Sequence, residues 1–126
     1  MLKEKVLLIV DDDPDVVETL KFRLEADNYK IIVAYDGKEA LAKARQAMPD
    51  LILLDLMLPE LDGYKVCRLL KFDEKYRGIP IIMLTARAQE ADKTQGIETG
   101  ADRYMTKPYD YDKLRIQIGE LLKEDS

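Results

Sequence analysis

The sequence predicts an α/β domain built on a parallel sheet. Short apolar runs recur along the chain at 5–10 ("KVLLIV"), 30–34 ("KIIVA"), 51–54 ("LILL"), 79–85 ("IPIIMLT") and 103–106 ("RYMT"), and segments of helical period separate them. The runs are mostly apolar throughout rather than alternating, the pattern of strands covered on both faces. Strand and helix alternating over five repeats imply parallel strands joined by right-handed crossovers.

Each helical segment has its own justification. After the first run Asp13 can cap a helix and Pro14 suits its first turn, and Val16, Val17, Leu20 and Leu24 then form one apolar stripe. The second helix is expected over about 37–47, alanine-rich and stopped before Pro49. The third starts near Gly63, turns Val66, Cys67, Leu69 and Leu70 inward, and ends before Gly78. The fourth, at about 89–99, offers Ala91, Ile97 and little else apolar, and contains Gly96, so it is expected to be the least stable element. The last, at about 111–123, carries Leu114, Ile118, Leu121 and Leu122 on one side.

A chain of 126 residues suits one domain, here 1–126 with a core at about 5–122. A hydrophobic content of 47% with 36% charged residues describes a globular protein with a heavily ionised surface. The net charge of −5 and pI near 4.8 argue against a broad nucleic-acid or membrane surface, since both partners are anionic. The apolar runs are too short to span or target a membrane, and a cytoplasmic protein is expected. A single cysteine, Cys67, excludes an internal disulfide and is expected in the core. The absence of histidine excludes most zinc sites and every Ser-His-Asp or Cys-His arrangement.

In open sheets of this kind ligands sit beyond the carboxyl ends of the strands. Those ends carry Asp11, Asp12 and Asp13 after the first run, Asp55 after the third, Thr85 at the fourth and Lys107 after the fifth. Two carboxylates about 4 Å apart repel by roughly 4 kcal/mol at an effective dielectric of about 20, so converging acids call for a cation or a proton. Oxygen ligands without histidine favour Mg²⁺, Mn²⁺ or Ca²⁺. Asp13, next to Pro14, reads as a helix cap, which leaves Asp11 and Asp12 as the metal pair. An EF-hand does not fit "DDDPDVV", because Val16 and Phe22 stand where glycine and glutamate are needed. A flavin-type phosphate loop fails too: it needs glycines and hydroxyls where this chain has acids.

Together, "LLIVDDD", "PDLILLDLMLPELDGY", "PIIMLTA" and "GADRYMTKPY" resemble the receiver domain of bacterial two-component response regulators, and the likeness covers about 5–122. The resemblance implies a five-stranded parallel sheet of flavodoxin-like order 2-1-3-4-5 with helices on both faces, as in single-domain chemotaxis regulators. It implies that Asp55 accepts a phosphoryl group. Mg²⁺, or Mn²⁺ in its place, would be held by Asp11, Asp12, Asp55 and the backbone carbonyl of Met57. Thr85 and Lys107 would contact the phosphoryl oxygens, Thr85 and Tyr104 would form the switching pair, and the bond from Lys107 to Pro108 would be cis.

The donor implied is a sensor histidine kinase, a histidine phosphotransfer protein or a small phosphodonor. The output implied is a downstream protein target met by the fourth helix, fifth strand and fifth helix of a monomer or weak dimer, with no direct contact to nucleic acid. An apolar Met57 offers nothing to an attacking water, so autodephosphorylation is expected to be slow, and the protein is not a turnover enzyme in the usual sense. The length suggests a standalone receiver. The alternatives are the receiver part of a longer regulator and an unphosphorylated cation-binding scaffold.

Overall fold

The computed structural model describes residues 4–56, 58, 61–85, 100–107 and 109–123. The expectations for Met57, the fourth helical segment, Pro108 and the side chain of Thr85 lie outside the described residues. The elements run β1 (Val6–Val10), α1 (Pro14–Ala26), β2 (Lys30–Ala34), α2 (Gly37–Ala47), β3 (Leu51–Asp55), α3 (Gly63–Lys71), β4 (Ile81–Thr85), β5 (Arg103–Thr106) and α4 (Tyr111–Leu122).

The five strands pair in the order β2-β1-β3-β4-β5 and every pair is parallel. Alternate strand residues serve opposite faces, because successive side chains of a strand point to opposite sides. Leu8, Val10, Ile52, Leu54, Ile81 and Met83 pack with Ala40, Leu41 and Ala44 of α2 and with Val66, Cys67 and Leu70 of α3. Leu7, Ile9, Leu51, Leu53, Ile82 and Leu84 pack with Val17, Leu20 and Leu24 of α1 and with Leu114 and Ile118 of α4. Two cores therefore share one sheet, and β3, buried along its whole length, lies between them. Cys67 is in the core as expected. Leu69 is not: it is 48% exposed, because α3 turns Val66, Cys67 and Leu70 to the sheet and a residue between Cys67 and Leu70 falls outside that stripe.

The four described helices begin on the same device. Asp13, Asp36, Asp62 and Asp110 are their N-caps, and each carboxylate accepts a backbone N–H of the first turn, from Asp15, Glu39, Lys65 and Asp112 respectively. Such a cap is worth about 1 kcal/mol over alanine. Four aspartates thus serve helix starts, and all of these starts follow strands and so lie on the rim where the strands end.

Glycine is required where two of these starts are crowded. A Cβ at Gly37 would run into the backbone oxygen of Leu61, and one at Gly63 into the carbonyl oxygen of Asp55. The N–H of Gly63 also donates to the Leu56 carbonyl at 2.9 Å, so α3 starts tight against the end of β3.

A candidate phosphoryl and metal site at the strand ends

The order β2-β1-β3 means that the connections leaving β1 and β3 diverge to opposite faces, and a crevice opens between those two strand ends. The register decides what lies there. Val10 pairs with Leu54, so the next residues, Asp11 and Asp55, emerge side by side. Thr85 pairs with Thr106, which brings Lys107 to the same rim.

Asp11 is 2% exposed and Asp55 5%, while Asp12 is exposed. One carboxylate oxygen from each of Asp11, Asp12 and Asp55 lies within 4.8 Å of the others. Asp11 is held at both oxygens: Oδ1 accepts the Asp13 N–H at 2.9 Å and Oδ2 accepts from Lys107 Nζ at 2.8 Å. Its own N–H donates to the Ala34 carbonyl at 3.2 Å. Lys107 Nζ also lies 3.5 Å from Asp55 Oδ2.

Burial by itself would lower the pKa of Lys107, but the hydrogen bond to Asp11 and the charges of Asp55 and Asp11 outweigh it, and the net shift is upward. The lysine stays an ammonium at neutral pH. Asp11 and Asp55 meet it, so among the described residues one ammonium stands against a cluster of three acids. An all-oxygen set of three acids with a deficit of positive charge fits a hard divalent cation.

Asp13 is a helix cap, as expected, and Asp11 and Asp12 are left to the cluster. Tyr104 is half-buried, pairs in register with Met83, and packs against the core beneath α2 and α3. The backbone of Thr85 ends β4 beside β3, where Asp55 pairs with Leu84.

Sequence reasoning missed two contributors. Gly63 was read only as a helix start, yet its missing side chain lets α3 pack under the carbonyl of Asp55; its place one residue after the Asp62 cap was the available signal. Tyr109 is the second: burial first, and then the negative charge of Asp11, push its pKa up to about 12, with Arg23 opposing and Asp55 adding less. Only its position two residues after Lys107 hinted at this.

The family profile described as the response regulator receiver domain matches residues 7–119. The chain belongs to that family. The receiver domain is 45% identical over 117 residues to the DNA-binding dual master transcriptional regulator RpaA of Synechocystis, covering 93% of this chain and 48% of RpaA. It thus spans about half the length of that relative, as it does of the transcriptional regulatory protein PhoP of Bacillus subtilis, also 45% identical. Among solved structures, a putative response regulator from Chloroflexus aurantiacus superposes with a TM-score of 0.91 at 35% identity, covering 97% of this chain and 100% of that one. The receiver domain of sensor histidine kinase PA1611 from Pseudomonas aeruginosa gives 0.88 at 30% identity over 97% of this receiver and 100% of its own chain, and its structure has a magnesium ion coordinated in the active-site cleft.

Proposed function

We propose that this receiver domain of a two-component system accepts a phosphoryl group on Asp55 and signals through the change that follows. The supporting observation is the meeting of Asp11, Asp12, Asp55 and Lys107 at one crevice, three acids and one ammonium at the strand ends.

The Asp55 carboxylate is the nucleophile. One of its oxygens forms a bond to phosphorus, the bond from phosphorus to the donor's leaving group breaks, and an aspartyl phosphate results. With a phosphohistidine donor the leaving group is an imidazole. The ionised carboxylate attacks without a general base. Lys107, held by Asp11, is placed to pair with the new phosphoryl oxygens, and Thr85 supplies the hydroxyl partner. Asp11, Asp12 and Asp55, with the Met57 carbonyl, would hold Mg²⁺, or Mn²⁺ in its place. When bound, the cation offsets charge on the phosphoryl oxygens.

Each phosphorylation is a single turnover, and the apolar side chain at Met57 makes its reversal slow. The donor is a sensor histidine kinase or a histidine phosphotransfer protein. The output is a protein target reached through the residues 89–99 segment, β5 and α4, with Thr85 and Tyr104 as the coupled pair, in a monomeric or weakly dimeric cytoplasmic protein that does not itself contact nucleic acid. No described helix is long and apolar enough to cross a membrane. A second reading, the receiver part of a longer regulator, is favoured by the span of about half of RpaA and PhoP.

Incubation with acetyl phosphate and Mg²⁺ followed by intact-mass measurement tests the central step. One phosphoryl adduct, released by hydroxylamine and missing in Asp55→Asn or without metal, supports it. No adduct with acetyl phosphate or with a phosphorylated histidine donor refutes it.

A further inference from the structure

On the α2 and α3 face of the sheet, a groove of about 640 Å³ is lined by Arg45, Lys65, Arg68, Leu69, Phe72 and Asp73. Lys65, Arg68, Leu69 and Phe72 fall at i, i+3, i+4 and i+7, so they form one stripe along α3, and Arg45 faces them from the last turn of α2. The helices return along the sheet against the strands, so the groove runs away from the acid cluster toward the amino ends of the strands.

The groove combines two features. Phe72 is 71% exposed and Leu69 48%, two apolar side chains within one helical turn. Around them stand three cations in a chain of net charge −5. None of Arg45, Lys65 and Arg68 is within ion-pair distance of a carboxylate among the described residues. Arg68 instead lies over the Phe72 ring at 5.8 Å. The one acid on the lining, Asp73, accepts the Lys75 N–H at 2.9 Å and so is tied into its own turn.

We infer that this groove docks an acidic amphipathic helix of a partner protein, with apolar side chains seated on Leu69 and Phe72 and carboxylates meeting Arg45, Lys65 and Arg68. Charge complementarity selects this occupant. A second copy of the chain in a two-fold contact would bring the same cations against each other. A nucleic acid would meet the long-range repulsion of the net negative charge and leave the two apolar side chains without apolar partners. A small anion would use the cations and leave Leu69 and Phe72 in water. An amphipathic helix satisfies both features at once.

The test uses the full ¹⁵N-labelled chain and a capped helix-forming peptide with leucines at i and i+4 flanked by glutamates. The expected result is saturable chemical-shift change on the last turn of α2 and along α3, with affinity that falls as salt rises. Arg68→Glu and Phe72→Ala, both at the surface and checked for folding by circular dichroism, should each lower affinity about tenfold. The same peptide with lysine for glutamate should not bind. Asp55→Asn should bind as the parent chain does, which separates this inference from the phosphorylation reading. The inference is overturned by lack of saturable shifts, by shifts mapping elsewhere, or by equal binding of the lysine peptide. Inorganic phosphate or an oligonucleotide matching the peptide at these residues, or self-association lost in Arg68→Glu, would overturn it equally.

Discussion

Lys107 and Asp11 are ninety-six residues apart in the chain and meet at 2.8 Å, the lysine donating to a carboxylate that is almost wholly buried. The contact ties the last strand to the first across the mouth of the crevice. Removing the lysine takes away the ammonium that Asp11 meets while Asp11 stays buried. Lys107→Ala is expected to destabilise the metal-free protein by about 2 kcal/mol, read as a shift in urea midpoint at unchanged slope. A midpoint equal to that of the parent would show that the pair contributes nothing net.

Divalent cation should stabilise the fold by mass action. At a hundred times its dissociation constant, Mg²⁺ adds about 2.7 kcal/mol. Asp12 is exposed and Asp11 buried, so the two asparagine variants should differ. Asp12→Asn should leave metal-free stability within about 0.5 kcal/mol of the parent and blunt the response to Mg²⁺. Asp11→Asn should lower both. Melting curves with EDTA and with graded MgCl₂ decide it, and an undiminished Mg²⁺ shift in Asp12→Asn would remove that residue from the site.

The crowded glycine and an open one make a matched pair. Gly63→Ala forces a methyl group against the Asp55 carbonyl, and overpacking of this kind costs about 3 kcal/mol. It should also slow phosphorylation, because the displaced carbonyl belongs to the proposed phosphoacceptor. Gly119 sits in the interior of α4 with nothing within 4 Å of an added Cβ. Gly119→Ala should stabilise by about 1 kcal/mol from helix propensity. Denaturant titrations of both variants check the opposite signs.

Alkaline pH should weaken the fold through Tyr109 and Tyr111. Burial, then the hydrogen bond from Tyr111 Oη to Asp27 at 2.8 Å, push the Tyr111 phenol up, and Tyr109 is pushed up to about 12. Both folded pKa values exceed the unfolded one near 10. The contribution is therefore complete below about pH 10 and is lost as pH rises toward the folded values, because the unfolded chain releases its protons first. Tyr109→Phe should flatten the decline in stability between about pH 10 and 12. Tyr111→Phe should flatten it too and cost about 1 kcal/mol at neutral pH, from the lost bond to Asp27. Chemical denaturation across that pH range is the measurement; an unchanged decline in both variants would refute the assignment.

The strands were legible because each is short, apolar and bounded by turn residues, and the expected run at 51–54 differs from β3 only by taking in Asp55. The helix starts were partly legible. Asp13 announced itself beside Pro14, whereas Asp36, Asp62 and Asp110 cap helices in the same way without a proline to mark them. Leu69 was misplaced because a nine-residue helix with adjacent apolar residues does not reveal by spacing alone which of them borders the stripe.

The linear chain determined that three acids, a hydroxyl and a lysine would each stand at or just past the end of an apolar strand-length run, since hydrophobic pattern alone places the strand ends. It could not determine which of those ends adjoin. That follows from strand order and register, which pair Val10 with Leu54 and Thr85 with Thr106 through backbone hydrogen bonds between segments far apart in sequence. Only that pairing sets Asp11 beside Asp55 and brings Lys107 Nζ to both, and a slip of one residue would turn each side chain to the opposite face of the sheet.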